Sequence, residues 1–157
     1  MKINNVTRLL LARNARFTPF SLPEEKLGAI EAAEYLHIPV ESVFKSIVVL
    51  RPKGKPAICL VPGHLKVDLK KVAQVLNEKK VAIASQQEAE RLTGLLVGGI
   101  SPLALLNKGF TFIFDQTIES LDDVYISGGE RGLNLRINSL DLITIVQPEI
   151  ADVTNLN

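Results

Sequence analysis

A chain of 157 residues, 46% hydrophobic and 22% charged, with a formal net charge of +1, is long enough for one domain that buries on the order of 70% of the surface its unfolded form exposes. Its single cysteine excludes an intramolecular disulfide, and no stretch approaches the roughly 20 apolar residues that span a bilayer. The opening Met1-Lys2-Ile3-Asn4-Asn5 lacks the apolar run of a signal peptide, so one cytoplasmic domain over residues 1–157, with no membrane association, is expected.

Val6, Leu9, Leu10 and Arg13 predict an opening helix from Asn4 to Ala15, capped by Asn4 or Asn5. Phe17 to Leu22 reads as short and extended, punctuated by Pro19 and Pro23. The Ala/Glu-rich run Gly28 to Leu36 predicts a second helix, stopped near Pro39. Val43 to Leu50 and Ala57 to Val61 are β-branched runs around Arg51-Pro-Lys-Gly-Lys-Pro56, the pattern of a hairpin. Asp68 then caps a helix whose Leu69, Val72, Ala73 and Leu76 fall on one face, leaving Lys70, Lys71 and Gln74 outside.

Lys80 to Ala84 is a short strand candidate, and Ser85 with Glu88 forms a capping box for a helix ending at Gly94. After a glycine-rich loop come a strand from Thr111 to Phe114 and a helical turn from Gln116 to Ser120. Val124 to Ser127 and Leu133 to Ile137 flank a second glycine loop. Ser139 is expected to cap a final helix to Val146, and residues 148–157 read as a loose tail. Irregular alternation of helices and hairpins favours an α+β fold, a mixed and barrel-like sheet surrounded by helices, over a regular doubly wound one.

The charge is unevenly laid out. Residues 51–91 carry nine Lys/Arg against four acids, and residues 92–157 carry three against eight. A basic middle can attract phosphates with a salt-dependent affinity, or it can simply solvate a surface.

Chemistry concentrates in Thr93-Gly-Leu-Leu-Val-Gly-Gly-Ile-Ser-Pro-Leu103. Gly98 and Gly99 open backbone angles closed to other residues, and Pro102 pushes Ser101 toward an extended form. The amides of Gly99, Ile100 and Ser101 could then hold a carbonyl oxygen as it gains charge, a service worth roughly 3–4 kcal/mol per donor. A tight turn without a ligand explains the same residues. Lys45 lies in an apolar strand on the face of Ile47 and Val49, opposite Phe44, Ser46 and Val48. An ammonium there either meets an anion in a wet cavity or snorkels at the strand start.

Ser127-Gly-Gly-Glu-Arg-Gly132 lacks a Walker lysine and leads into a strand, which argues against nucleotide-triphosphate hydrolysis. His37, His64 and Cys59 lack metal-ligand spacing, so no metal site and no cofactor is expected. Cys59, in an apolar strand, reads as a buried inert thiol, and no G-x-S-x-G elbow occurs.

VFKS at Val43–Ser46, VDLKKVA at Val67–Ala73, TGLLVGGISPL at Thr93–Leu103 and YISGGERGLNL at Tyr125–Leu135 together resemble the YbaK/EbsC family of bacterial Cys-tRNA(Pro) deacylases, related to the editing domain of prolyl-tRNA synthetase. The resemblance runs from about Ala29 to Val146. It implies trans-editing hydrolysis of a mischarged aminoacyl-tRNA, with the acceptor end of tRNA as partner, an association with prolyl-tRNA synthetase, and a monomer. It assigns Lys45 to a phosphate or terminal nucleotide, and Gly98, Gly99, Ile100, Ser101 and Pro102 to the loop that holds the aminoacyl carbonyl. Ser46, Ser127, Gly128, Gly129 and Asn134 fall to the substrate pocket.

In Cys-specific members the resemblance implies that the substrate's own thiol attacks its ester carbonyl and expels the tRNA as a thiolactone forms. That would need no protein nucleophile. Two positions depart from the pattern: Asn134 stands where Cys-specific members carry aspartate, and Phe20 where a pocket tyrosine is expected. These leave Cys, Ala, Ser or another small amino acid open as the group removed. Two other readings use the same basic stretch: a non-catalytic tRNA-binding or synthetase-associated module, and a hydrolase of small aminoacyl esters unrelated to tRNA.

Overall fold

A computed structural model describes residues 3–156; Met1 and Lys2, part of the opening segment read against a signal peptide, and Asn157 lie outside them. In chain order the elements are α1 (Asn5–Ala12), β1 (Phe17–Ser21), α2 (Ala29–Leu36), β2 (Phe44–Leu50), β3 (Ala57–Pro62), β4 (Lys66–Val67), α3 (Leu69–Leu76), β5 (Ala82–Ile83), α4 (Gln86–Thr93), β6 (Thr111–Asp115), β7 (Asp123–Ser127), β8 (Leu133–Asn138), α5 (Ser139–Val146), β9 (Glu149–Ala151) and β10 (Thr154–Asn155). Short 3-10 turns at Val40–Ser42, Pro102–Ala104 and Gln116–Ser120 connect them.

The caps follow from local chemistry. The Asn4 side chain accepts from the Thr7 amide, and Asp68 accepts from those of Lys70 and Lys71. Ser85 and Glu88 form the reciprocal box, and Gly94 closes α4 in a left-handed conformation. At α5 the cap shifts by one residue. Asn138, not Ser139, accepts from the Asp141 amide, because the Ser139 hydroxyl donates instead to the Leu121 carbonyl.

Among the described residues the strands form three sheets, in the orders β5-β2-β3-β6-β9, β1-β8-β7 and β10-β4. β2 and β3 make the expected antiparallel hairpin, with Lys45 opposite Val61 and Ser46 opposite Leu60, while β3–β6 and β6–β9 are parallel. The architecture is therefore mixed α+β. A single parallel bridge, Val43 to Tyr125, joins the five-stranded sheet to the three-stranded one, and no ring of strands closes among the described residues.

Alternation along β2 and β3 sorts the core. Val49, Cys59 and Val61 pack against Val72, Ala73 and Leu76 of α3 on one face. Val48 and Ile58 pack against Ala89 of α4, Ile100 and Leu105 on the other. The largest cluster, including Leu10, Phe44, Phe114, Ile126, Leu135 and Leu142, fills the space among the two larger sheets, α1 and α5.

The loose tail expected at 148–157 is corrected over its described part. β9 extends the large sheet beside β6, and β10 pairs antiparallel with β4. Asp115, 1% exposed, holds this segment by accepting from the Val153 amide at 3.0 Å and the Thr154 hydroxyl at 3.1 Å. Its second oxygen accepts from the Thr117 hydroxyl at 2.7 Å. A buried carboxylate thus finds donors on both sides.

Candidate active site

A cavity of about 420 Å³ opens between β2, the start of α2, α4 and the two glycine loops. Six residues singled out by sequence share its wall: Lys45, Ser46, Gly98, Ile100, Ser127 and Asn134. Gly98 has no side chain, so its contribution to the wall is backbone. Five others do not line it: Gly99, Ser101, Pro102, Gly128 and Gly129.

β2 carries Lys45 to the cavity half-buried. Its ammonium donates to the Gly63 carbonyl at 3.2 Å. Burial lowers its pKa from the ordinary lysine value, and the charge of Lys66 lowers it further. The ammonium sits in a partly dry, cation-repelling place, where an anion would relieve it.

Asn134 comes from β8, where it pairs with Ser127 of β7 on one side and Phe20 of β1 on the other. It is 6% exposed, and its Oδ1 has no hydrogen-bond partner among the described residues. Buried polar atoms are rarely left so, and here the orphan acceptor belongs to a cavity-lining side chain. Phe20 places its ring 6.0 Å from that of Tyr125 and is not part of the cavity wall.

The first glycine loop is built differently from its expected form. The Gly99 amide donates to the Leu96 carbonyl at 2.8 Å, so it closes a turn and is not a spare donor. Gly99 is small for another reason as well. A Cβ there would lie 2.9 Å from the Arg131 nitrogen and the Glu130 backbone, so what approaches Gly99 closely is the second glycine loop. Gly98 has φ +96°, and a Cβ on it would come within 3.3 Å of the Lys26 Cα.

Ser101 is extended, as Pro102 requires, and wholly buried. Its hydroxyl accepts from the Leu103 amide at 3.2 Å and caps the 3-10 turn that Pro102 begins. The amides of Ile100 and Ser101, both buried, engage no hydrogen bond among the described residues. In the second loop the Ser127 hydroxyl accepts from the Gly129 amide at 3.2 Å, and the Asn4 side chain donates to the Gly128 carbonyl at 2.9 Å.

Several residues that matter here escaped the sequence reading. Lys26 donates to Gln86 Oε1 at 3.0 Å, joining the segment before α2 to the start of α4 at the cavity. Gly63 supplies the carbonyl that Lys45 meets. Glu90 and Arg131 both reach Val97. Only Arg131 lay within a recognised motif, and no local pattern announces the others.

Cys59 is fully buried, and burial pushes its thiol up to about 12, far from nucleophilic use at neutral pH. His64 is exposed, and His37 ends α2 in a left-handed conformation. Among the described residues no three His, Cys, Asp or Glu side chains are grouped to hold a metal, and no helix is long and apolar enough to cross a membrane.

Residues 23–145 match the model of the aminoacyl-tRNA editing domain. EbsC of Enterococcus faecalis, which bears the name of a Cys-tRNA(Pro)/Cys-tRNA(Cys) deacylase, is 27% identical over 135 residues, covering 86% of this chain and 82% of that protein. The proline–tRNA ligase of Geobacter metallireducens is 28% identical over 112 residues, 71% of this chain but only 19% of the ligase. The crystal structure of hypothetical protein APE2540 superposes with a TM-score of 0.89 at 24% identity, covering 97% of this chain and all of that one. A structure described as a trans-editing enzyme for prolyl-tRNA synthetase superposes with a TM-score of 0.82 at 23% identity, covering 98% and 99%. The last two are likenesses of fold.

Proposed function

The chain belongs to the aminoacyl-tRNA editing domain family, and from that premise we propose that it is a deacylase that hydrolyses a small, wrongly attached amino acid from tRNA(Pro). EbsC, matched over most of both chains, bears the name of such an activity, and the proline–tRNA ligases match over a fifth of their length.

The observation that carries this reading is the shared wall: the half-buried Lys45 ammonium, the orphan acceptor of Asn134 and the backbone of Gly98 around a cavity of about 420 Å³. The volume suits an aminoacyl group with part of the terminal adenosine. Lys45 takes a phosphate or ribose oxygen of the acceptor end, which restores to its ammonium the solvation that burial removes. Asn134 Oδ1 accepts from the substrate's α-ammonium. The amide of Ile100, a residue of the cavity wall whose N–H engages no other described residue, receives the ester carbonyl as it gains charge. Gly99 drops out as a donor because Leu96 holds its N–H.

No protein nucleophile is required. With a cysteinyl ester, the substrate thiolate attacks its own carbonyl carbon, and the C–O bond to the ribose breaks. The ribose oxygen then takes a proton, and a thiolactone leaves. With alanyl or seryl esters a water attacks instead. Either way the enzyme acts by positioning and by stabilising the oxyanion.

The test is a panel of tRNA(Pro) charged with Cys, Ala or Ser. One ester should be lost faster than in buffer, and the rate at subsaturating substrate should fall as salt rises. No acceleration for any of the three, with folded protein bound to tRNA, would leave a binding module in place of an enzyme.

A further inference from the structure

We infer that Glu90 and Arg131 are positioning residues that clamp the first glycine loop by gripping both peptide groups of Val97. The inference rests on the deacylase reading for its consequence, though not for its geometry. The Val97 amide donates to Glu90 Oε2 at 2.9 Å, and the Val97 carbonyl accepts from Arg131 Nε at 2.8 Å. The two charged groups then face each other at 3.8 Å, with side chains 26% and 25% exposed. Their shorter contacts are to Val97, not to one another.

Val97 is the first of the two central residues of the turn that the Gly99 amide closes on the Leu96 carbonyl, so the direction in which the chain enters residues 98–101 is set at its two peptide planes. Among the described residues no strand ladder or helix holds this stretch, and its only internal backbone bond before Ser101 is the one from Gly99 to Leu96. Charge-assisted bonds from outside must supply the rest. They come from opposite sides: Glu90 from α4 and Arg131 from the second glycine loop.

Packing reinforces the arrangement. A Cβ on Gly98 would lie 3.6 Å from Arg131 Cγ, and one on Gly99 would lie 2.9 Å from the Arg131 nitrogen. The second loop is itself tied to α1 through Asn4 and the Gly128 carbonyl. The loop that presents Gly98 and Ile100 to the cavity is thus referenced to three separate elements. In a reaction without a side-chain nucleophile, this placement is what the protein contributes, and a misplacement of 1 Å can cost on the order of 10²-fold.

Glu90→Ala removes one grip on a helix where alanine is the best former, so folding is not at risk. Arg131→Met removes the other and keeps an apolar stem against Gly98. Each variant should lower kcat on the active aminoacyl-tRNA by roughly 10- to 100-fold with KM changed less than about threefold. Glu90→Gln, which still accepts the Val97 N–H, should recover most of the rate. The double variant should cost little more than the worse single one, because both act on one residue, Val97.

Amide hydrogen exchange supplies a readout independent of activity: exchange at Val97 to Ser101 should quicken in Glu90→Ala and Arg131→Met and stay slow in Glu90→Gln. Unchanged kcat and unchanged exchange in Glu90→Ala would overturn the clamp, as would a loss confined to KM. If the wild-type protein hydrolyses none of the charged tRNAs, the deacylase reading fails while the exchange data still decide the clamp.

Discussion

Replacing Asn134 by leucine separates the needs of the fold from those of the substrate. The side chain is 94% buried by its 6% exposure, and Oδ1 has no partner among the described residues. A buried acceptor left unsatisfied costs about 1–3 kcal/mol. Leucine has the same number of side-chain heavy atoms, and the adjoining cavity of about 420 Å³ can take the added bulk of its two methyls, so the usual cost of overpacking is small here. Asn134→Leu should therefore stabilise the protein by about 1–3 kcal/mol. At roughly 2–4 °C per kcal/mol for a chain of this size, the melting temperature rises by about 2–12 °C.

The same change removes the acceptor proposed for the α-ammonium, a bond of about 1.5–3 kcal/mol, so kcat/KM falls roughly ten- to a hundredfold. Differential scanning calorimetry and the tRNA(Pro) deacylation assay read the two effects. A fall in melting temperature would mean that Oδ1 is already satisfied without substrate. A stabilised variant with full activity would mean that it reads nothing on the substrate. Asn134→Asp makes the complementary case: it buries a charge and should destabilise the free protein while keeping an acceptor for the ammonium.

Three further outcomes are expected. Gly99→Val puts carbon 2.9 Å from the Glu130–Arg131 backbone, so it should cost at least about 1–3 kcal/mol and most of the activity, and a wild-type melting curve would disprove the loop-on-loop contact. Lys45→Met should abolish deacylation without lowering stability at neutral pH. Because burial lowers the Lys45 pKa in the folded state, wild-type stability should rise as pH climbs from that lowered value toward the ordinary lysine value, where only the unfolded chain still holds the proton. Lys45→Met should lack that rise in pH-dependent urea titrations, and an identical slope in both would contradict it. Asp115→Ala strips the Val153 amide and two threonine hydroxyls of their acceptor, so a loss of roughly 3 kcal/mol or more is expected, with protease nicking between α5 and the C-terminus as its sign.

What could be read from residue order was whatever depends on near neighbours. The α3 stripe of Leu69, Val72, Ala73 and Leu76, the Ser85–Glu88 box and the hairpin about Lys53–Gly54 are problems of period and capping, and each has a local solution. The two glycine loops could be singled out for the same reason, since glycine pairs and a following proline restrict or free the backbone where they stand. Residues 148–156 failed that reading because their pairing partners, β6 and β4, lie more than thirty residues away, and a three-residue strand has no period of its own. The cap at α5 slipped by one because Leu121 competes for the Ser139 hydroxyl.

Sequence by itself thus determined the family motifs, the helix caps, the central hairpin and the choice of Lys45, Gly98, Ile100 and Asn134 as residues worth watching. Only the tertiary structure decided which of the watched residues meet. It set Lys45, Gly98, Ile100 and Asn134 around one cavity, turned the Ser101 hydroxyl inward as a cap, engaged the Gly99 amide with Leu96, and brought Glu90 and Arg131 to opposite sides of Val97. The physical reason is that a hydrogen bond such as that from Arg131 to Val97, 34 residues apart, or from Asn4 to Gly128, 124 apart, leaves no periodic trace along the chain. It exists because the sheets and loops are stacked, and the stacking depends on the whole core.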